Sequence, residues 1–323
     1  MEKIAVGVFP GQGAQRPGMG KDFYDSISVS RRTYEEASDA LGWDVAAICF
    51  GEDERLDLTE YTQPCILTME IAALRGLNSQ YGFSPTIFGG HSLGEFTALV
   101  AAGVLTLTEA VQIVHIRGQL MQKAVPLGIG GMAAVISQNI DMEGVRKSLA
   151  DLPIDVANEN SAHQVVISGK LSALPEAEKR LREACVLDPG FRFVLLNVSA
   201  PFHSRFMKPI EEPFARTLRE VGKNMAPVNG IHVTSNFTGK FHSDSSEEII
   251  ICLVSQLSNT VRWTDNMQCL AERSDMIYEI GPSRPLRDFF KTLSVSCAPI
   301  TNLSTAERAF PEGSLNKLIE NKR

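Results

Sequence analysis

The chain has 323 residues, 44% of them apolar and 21% charged, with a formal net charge of −7. That length suits two domains or one large domain with an insertion around a sizeable core, and the negative balance argues against a general nucleic-acid binder. No apolar run reaches the roughly 18 residues a membrane helix needs and the first residues lack a signal-peptide pattern, so the expected location is the cytoplasm.

In chain order, Ile4 to Phe9 reads as a short apolar strand, followed by the glycine-broken loop Pro10-Gly11-Gln12-Gly13-Ala14-Gln15. Loops at the carboxyl end of a parallel strand are where α/β proteins place their sites. The dinucleotide fingerprint would need a third glycine where Arg16 stands, so a nucleotide cradle is rejected. Tyr34 to Leu41 and Thr68 to Leu77 read as helices, the second following Gln63-Pro64. A turn at Gly82 and Ser84-Pro85 leads into Ile87-Phe88, the end of a buried strand, and Leu93 to Ala102 is a short apolar helix stopped by Gly103.

Between that strand and helix lies Gly90-His91-Ser92-Leu93-Gly94-Glu95. Gly-x-Ser-x-Gly can occur by chance in any glycine-containing loop, but a strand before it and a helix after it are the context of a nucleophile elbow. Such an elbow lifts a serine hydroxyl above the carboxyl edge of a sheet, and a β-carbon at either glycine would collide with the tightly packed backbones. Ser92 also falls at a helix start, where unpaired N–H groups point toward any oxyanion that forms.

After Gly103, Thr106-Leu107-Thr108-Glu109 has capping-box spacing and starts a helix expected to run to about Val125. Ala110, Ile113, Val114, Leu120, Met121 and Ala124 form its apolar stripe, and Arg117 lies inside it. An arginine there is costly unless an anion meets it. Two anions fit equally: a protein carboxylate such as Glu95, or the carboxylate of a substrate.

Gly128 to Gly131 reads as a hinge, after which the rhythm changes. Strands are expected at Met132 to Ile136, Asp155 to Asn160, Gln164 to Ser168 and Phe193 to Val198, with helices at Asp141 to Leu149 and Ser172 to Ala184. The order β-α-β-β-α-β is the ferredoxin-like unit. The fold class is therefore read as α/β: a large domain, residues 1–127 and 199–323, carrying an inserted ferredoxin-like small domain, residues 128–198. The chain re-enters the large domain near Ser199-Ala200-Pro201-Phe202-His203-Ser204, followed by helices at Glu211 to Val221 and Ser246 to Leu257, with a strand at Ile231 to Ser235 between them. Met276 to Ile280 is the last strand expected, and Asn316 to Arg323 a frayed tail. Cys49, Cys65, Cys185, Cys252, Cys269 and Cys297 show no metal spacing, so reduced, mostly buried thiols and no metal site are expected.

A serine nucleophile needs a base, and the chain has six histidines. His91 should point away from its neighbour, His115 sits on a polar helix face where a solvated role is expected, His163 sits in a hairpin turn, and His232 and His242 carry no other signal. His203 lies where the two domains join and a cleft would open. An ordinary α/β-hydrolase ends its Ser, Asp or Glu, His order with a C-terminal histidine, but none follows His242 here. That counts against a plain lipase or esterase, and it leaves no evident acid to orient His203, whose partner could be a backbone carbonyl.

These residues together resemble the malonyl-CoA:acyl carrier protein transacylases, including the stand-alone acyltransferases of polyketide synthesis. The resemblance rests on Phe9 to Gln15, Thr62-Gln63-Pro64, Gly90 to Glu95, Arg117-Gly118-x-Leu120-Met121-Gln122, Gln164 to Gly169, Pro201 to Ser204, Gln256-Leu257, Val261-Arg262-Trp263 and Gly281-Pro282. It implies Ser92 as the acylated nucleophile and His203 as its base. It further implies an oxyanion hole from the N–H groups of Gln12 and Leu93, the carbonyl of Gln256 as the group orienting His203, and Arg117 as the clamp on a malonyl carboxylate. Phe202 would restrict an α-methyl branch, and the implied fold is a hydrolase-like large domain with a parallel-sheet core carrying the ferredoxin-like (βαββαβ) small domain. The implied substrates are malonyl-CoA and the phosphopantetheine of an acyl carrier protein, with no cofactor of the enzyme's own and no nucleic-acid or membrane partner.

Gly281-Pro282-Ser283-Arg284-Pro285 departs from the family's more frequent Gly-Pro-Gly followed by an apolar pair, at a cleft wall or partner surface. Arg205, Lys208, Arg284, Arg287 and Lys291 either make the basic patch an acidic carrier needs or are scattered solvated charges. Two alternatives to malonyl transfer fit the same fold: hydrolysis of carrier-bound acyl thioesters, or transfer of another acyl unit. A silent docking module is disfavoured by the presence of Ser92, His203 and the elbow glycines.

Overall fold

The computed structural model describes residues 4–184, 188–198, 200–274 and 276–311. The expected tail and Cys185 lie outside the described residues. Among those residues are eight strands: β1 (Ala5–Phe9), β2 (Ile87–Gly90), β3 (Gly130–Ile136), β4 (Ile154–Ser161), β5 (Gln164–Lys170), β6 (Arg192–Leu195), β7 (Met276–Ile280) and β8 (Cys297–Ile300). They form two four-stranded sheets.

The first sheet is parallel, in the order β2-β1-β7-β8. Parallel strands are covered on both faces and read as near-continuous apolar runs, and β1 (A-V-G-V-F) is buried from Val6 to Phe9. Val6 and Val8 pack with Trp263, Leu270 and Phe290 on one face, while Phe9 joins Phe88 and Phe96 in the larger core on the other. Strand β8 is a correction to the sequence reading, which ended the strands at Met276 to Ile280; its Cys-Ala-Pro-Ile is short and contains a proline. The strand expected at Ile231 to Ser235 is not formed either. A 3₁₀ turn occupies Pro227–His232, and only isolated bridges join Val233 to Phe88 and Thr234 to Phe241.

The second sheet is antiparallel, in the order β4-β5-β3-β6, as the ferredoxin-like connection requires. Its two faces are read off by strict alternation. Ala133 and Val135 face a separate core under the helices Met142–Leu149 and Leu174–Ala184, while Met132 and Ala134 face the core of the first sheet. Edge strand β4 is not left open: Val261 N–H donates to Ala157 O at 2.8 Å and Glu159 N–H to Val261 O at 3.0 Å. These bonds fasten the second sheet to the segment leading into helix Trp263–Ala271.

Helix Thr59–Tyr81 begins nine residues earlier than the expected Thr68, with Pro64 inside it. Proline lacks the N–H that would bond the Glu60 carbonyl one turn back. His115 Nδ1 donates to that carbonyl instead, at 2.8 Å, from the neighbouring helix Leu107–Lys123. His115 is therefore not the solvated side chain the polar face suggested: it is half-buried beside Trp43 and Tyr61 and takes a bond from Gln119 on its other nitrogen. The capping box at Thr106 and Glu109 is formed. Cys49, Cys65 and Cys297 are buried free thiols, whereas Cys252 and Cys269 are only half-buried.

Candidate active site

Strand β2 ends at Gly90 and helix Leu93–Ala101 starts two residues after His91, so Ser92 occupies the turn between them at the carboxyl edge of the parallel sheet. Its backbone is at φ 53, a conformation that side chains other than glycine rarely adopt. The flanking glycines are there for space. A β-carbon on Gly90 would lie 2.0 Å from Gly94 C, and one on Gly94 would lie 2.1 Å from Phe9 O. The N–H of Ser92 is taken by Asn236 Oδ1 at 2.6 Å, whereas the N–H groups of Leu93 and Gln12 have no protein acceptor among the described residues.

His203 Nε2 lies 2.7 Å from Ser92 Oγ, and its Nδ1 is 2.8 Å from the main-chain oxygen of Gln256. A carbonyl only accepts, so Nδ1 carries the proton and Nε2 presents its lone pair to the serine hydroxyl. The tautomer needed by a general base is thus fixed by the backbone, with no carboxylate involved. Burial first, and then the nearby charge of Arg117, push the His203 pKa down to about 3, with the Gln256 bond opposing. His203 is 4% exposed and, like Ser92, has positive φ, at 56°.

Arg117 is 1% exposed. Its guanidinium donates to Gln63 Oε1 (2.9 Å), Gln256 Oε1 (2.7 Å) and Ser92 Oγ (3.2 Å), and it lies over the Phe96 ring at 5.3 Å. The direct pair with Glu95, one of the two partners the sequence allowed, is absent, because Gln256 stands between them, donating to Glu95 Oε2 at 2.6 Å. Among the described residues no carboxylate touches Arg117, and its Nε has no partner. Burial lowers its pKa to about 10, with Glu95 opposing, so the side chain stays cationic at neutral pH. A buried cation bonded only to neutral acceptors is a ready receptor for an anion beside the serine.

These groups open into a cavity of about 320 Å³, lined by Gln12 and Ser92 just beyond the ends of β1 and β2, by Arg117 and His203, and by Met132 and Asn160 of the second sheet. Phe202, 6% exposed, forms wall beside His203. Ser283 and Pro285 line the mouth, placing the departure from Gly-Pro-Gly at the cleft wall. His91 turns away from Ser92 to Asn160 Oδ1 at 2.8 Å. Of the five basic residues read as either a patch or scattered charges, Arg205 pairs with Asp155 and Arg287 with Asp288.

Sequence reasoning missed three contributors, Gln63, Asn236 and His242, and gave Glu95 only as a direct partner of Arg117. Gln63 and Asn236 hold Arg117 and the Ser92 N–H, and Glu95 and His242 lie beneath them. Gln63 stood inside a quoted motif without a role. His242 gave no local signal, because its partner Glu95 is 147 residues away. With Ser92, His203, Arg117, Gln256 and the free N–H groups of Gln12 and Leu93 around one cavity, the arrangement can form and break an ester of an acyl group that carries a negative charge.

The acyl transferase domain model matches residues 6–283. The chain is 38% identical to the malonyl CoA-acyl carrier protein transacylase of Escherichia coli strain K12 over 292 residues, covering 88% of this chain and 91% of that protein. Among solved structures it resembles the malonyl CoA-acyl carrier protein transacylase of Clostridium perfringens, with TM-score 0.85 and 34% identity over 99% of this chain and 98% of that one. It also resembles a malonyl-transacylase solved in complex with its type II polyketide acyl-carrier protein, with TM-score 0.85 and 33% identity over 95% and 99% of the two chains.

Proposed function

The chain belongs to the acyl transferase domain family, and we propose that it moves a malonyl group from malonyl-CoA to the phosphopantetheine thiol of an acyl carrier protein through a malonyl ester on Ser92. The observation that carries the choice of acyl group is Arg117: buried, cationic, met by no carboxylate among the described residues, and 3.2 Å from the nucleophile. A dicarboxylic half-thioester supplies the missing anion.

In the first half-reaction the malonyl carboxylate pairs with Arg117 and brings the thioester carbon over Ser92 Oγ. His203 Nε2 takes the hydroxyl proton as the C–O bond forms, and the oxyanion is received by the N–H groups of Gln12 and Leu93. The C–S bond then breaks, and His203 returns the proton to the departing CoA sulfur. In the second half-reaction the carrier's thiol gives its proton to Nε2 and attacks the ester carbonyl. Ser92 Oγ leaves and recovers the proton. The main-chain oxygen of Gln256 keeps the imidazole in one tautomer throughout, and Phe202 narrows the space for an α-branch.

The acyl group arrives activated as a CoA thioester, so the steps draw on no cofactor of the enzyme's own. Malonyl units loaded in this way supply chain extension of the fatty-acid or polyketide kind, in the cytoplasm; among the described residues no helix is long and apolar enough to cross a membrane. The test is intact-mass measurement after mixing the protein with malonyl-, methylmalonyl- and acetyl-CoA. A malonyl adduct that persists without carrier supports transfer, whereas rapid release of free acid with no carrier present would make the protein a thioester hydrolase.

A further inference from the structure

The turn that carries His203 is strained, with its backbone at φ 56, and its own main chain is unsupported. Among the described residues neither its N–H nor its carbonyl has a hydrogen-bond partner. A residue in that region keeps its place only where the chain around it is fixed. Two of the bonds nearby are local, from Phe202 N–H to Ala200 O at 3.0 Å and from Ser204 Oγ to Pro201 O at 2.5 Å. A third crosses to the second sheet: Asp155 of β4 accepts the Arg205 N–H through Oδ2 at 2.8 Å and the Arg205 Nε–H through Oδ1 at 2.9 Å. Among the described residues, this is the one hydrogen bond from the main chain of residues 200–205 to another segment.

The same strand holds the group that orients the base. Val156 O accepts from Thr260 Oγ1 at 2.7 Å and Ala157 O from Val261 N–H at 2.8 Å, so the segment after Gln256 is fastened to the two residues that follow Asp155. His203 and the main-chain oxygen that receives its Nδ1 are thus both tied to one short run of β4. Packing does not fill the space between them. A cavity of about 280 Å³ lies there, with Asp155, Val156, His203, Arg205, Ser258 and Thr260 in its wall, so the bonds around it set the spacing of base and carbonyl. The Arg205 side chain is 57% exposed, and an ion pair that open to water adds little. The main-chain bond carries the constraint.

We propose that Asp155 is a positioning residue for acyl transfer: by accepting the Arg205 N–H it fixes the strained turn that holds His203 within reach of both Ser92 Oγ and the Gln256 carbonyl. The inserted domain is then part of the scaffold of the base as well as a wall of the active-site cavity. The constraint acts on proton transfer and leaves Arg117, which meets the acyl carboxylate, untouched. The proposal rests on the reading of His203 as the general base.

The test compares kcat and KM for acyl-enzyme formation from malonyl-CoA and acetyl-CoA in the wild type, Asp155→Ala, Asp155→Asn, His203→Ala and the His203→Ala, Asp155→Ala double variant. Asp155→Ala is expected to lower kcat roughly tenfold for both acyl groups with KM little changed, because both depend on the same base. Asp155→Leu keeps the shape of the side chain but accepts nothing, and it serves in place of alanine if that variant does not fold. Asp155→Asn retains an oxygen for the Arg205 N–H and should recover most of the loss. Without His203 there is no base to misplace, so in the His203→Ala background Asp155→Ala should cost nothing further. Wild-type kcat in folded Asp155→Ala, an undiminished loss in the double variant, or Asp155→Asn as slow as Asp155→Ala would overturn the proposal. The two readings fail separately: His203→Ala as fast as the wild type removes the base itself, whereas a slow His203→Ala beside a fully active Asp155→Ala removes only the role of Asp155.

Discussion

His203 donates through Nδ1 to the main-chain oxygen of Gln256 at 2.8 Å, in the place where a serine-nucleophile triad puts a carboxylate. A carbonyl fixes the tautomer as a carboxylate would, but it adds no negative charge to stabilise an imidazolium. Together with burial and Arg117, this leaves the free-enzyme pKa of His203 near 3.

A pH profile reads that environment directly. The base is neutral and competent above its folded pKa, so kcat/KM for acylation by malonyl-CoA should stay flat from pH 8 to about pH 5. A histidine at its ordinary pKa near 6.5 would lose about thirtyfold at pH 5. Arg117→Ala removes the second cause of the depression, so in that variant the acid limb should move up toward neutrality. A limb near 6.5 in the wild type would contradict the buried environment described for His203.

Arg117→Ala should also reset selectivity. Charge-assisted hydrogen bonds contribute about 1.5–3 kcal/mol each, so losing a two-pronged contact should cut malonyl transfer on the order of a hundredfold to ten-thousandfold. Acetyl transfer has no carboxylate to lose and should fall far less. Rates of acyl-enzyme formation with both CoA esters check this, and proportionate losses would remove Arg117 from the clamp.

The strain at Ser92 can be separated from its hydroxyl. Ser92→Ala and Ser92→Gly should both abolish the acyl-enzyme, and both lose the bonds to His203 and Arg117. Only glycine relieves the positive φ of 53°, so Ser92→Gly should be more stable than Ser92→Ala by about 1–3 kcal/mol in denaturant unfolding. Equal stabilities would mean that the turn stores no such strain.

Much of this was legible in the sequence because it is local. The elbow glycines, the capping box at Thr106 and Glu109, and the alternation of Met132 to Val135 are short-range patterns that the fold simply realises. Arg117 announced itself as a charge on an apolar stripe, although one sequence cannot say which anion answers it. The illegible parts are partnerships across long separations: Ser92 with Asn236 across 144 residues, and Glu95 with His242 across 147. Pro64 misled because a proline usually ends a helix, and its compensation by His115 lies on another helix.

That compensation predicts a coupling. His115→Ala strands the Glu60 carbonyl and should cost about 1–3 kcal/mol of stability. Adding Pro64→Ala supplies a new backbone donor to the same carbonyl, so the double variant should lose clearly less than the two single losses combined. Additive losses would show that the His115 bond does not offset the missing donor of Pro64.

The most direct test of the central claim is to isolate the enzyme after malonyl-CoA treatment, remove free CoA, and follow its mass and that of added holo acyl carrier protein over time. One malonyl group should map to the peptide containing Ser92 and then move, mole for mole, onto the carrier's phosphopantetheine. An adduct on another residue, or one that decays to free malonate at the same rate with and without the carrier, would contradict it.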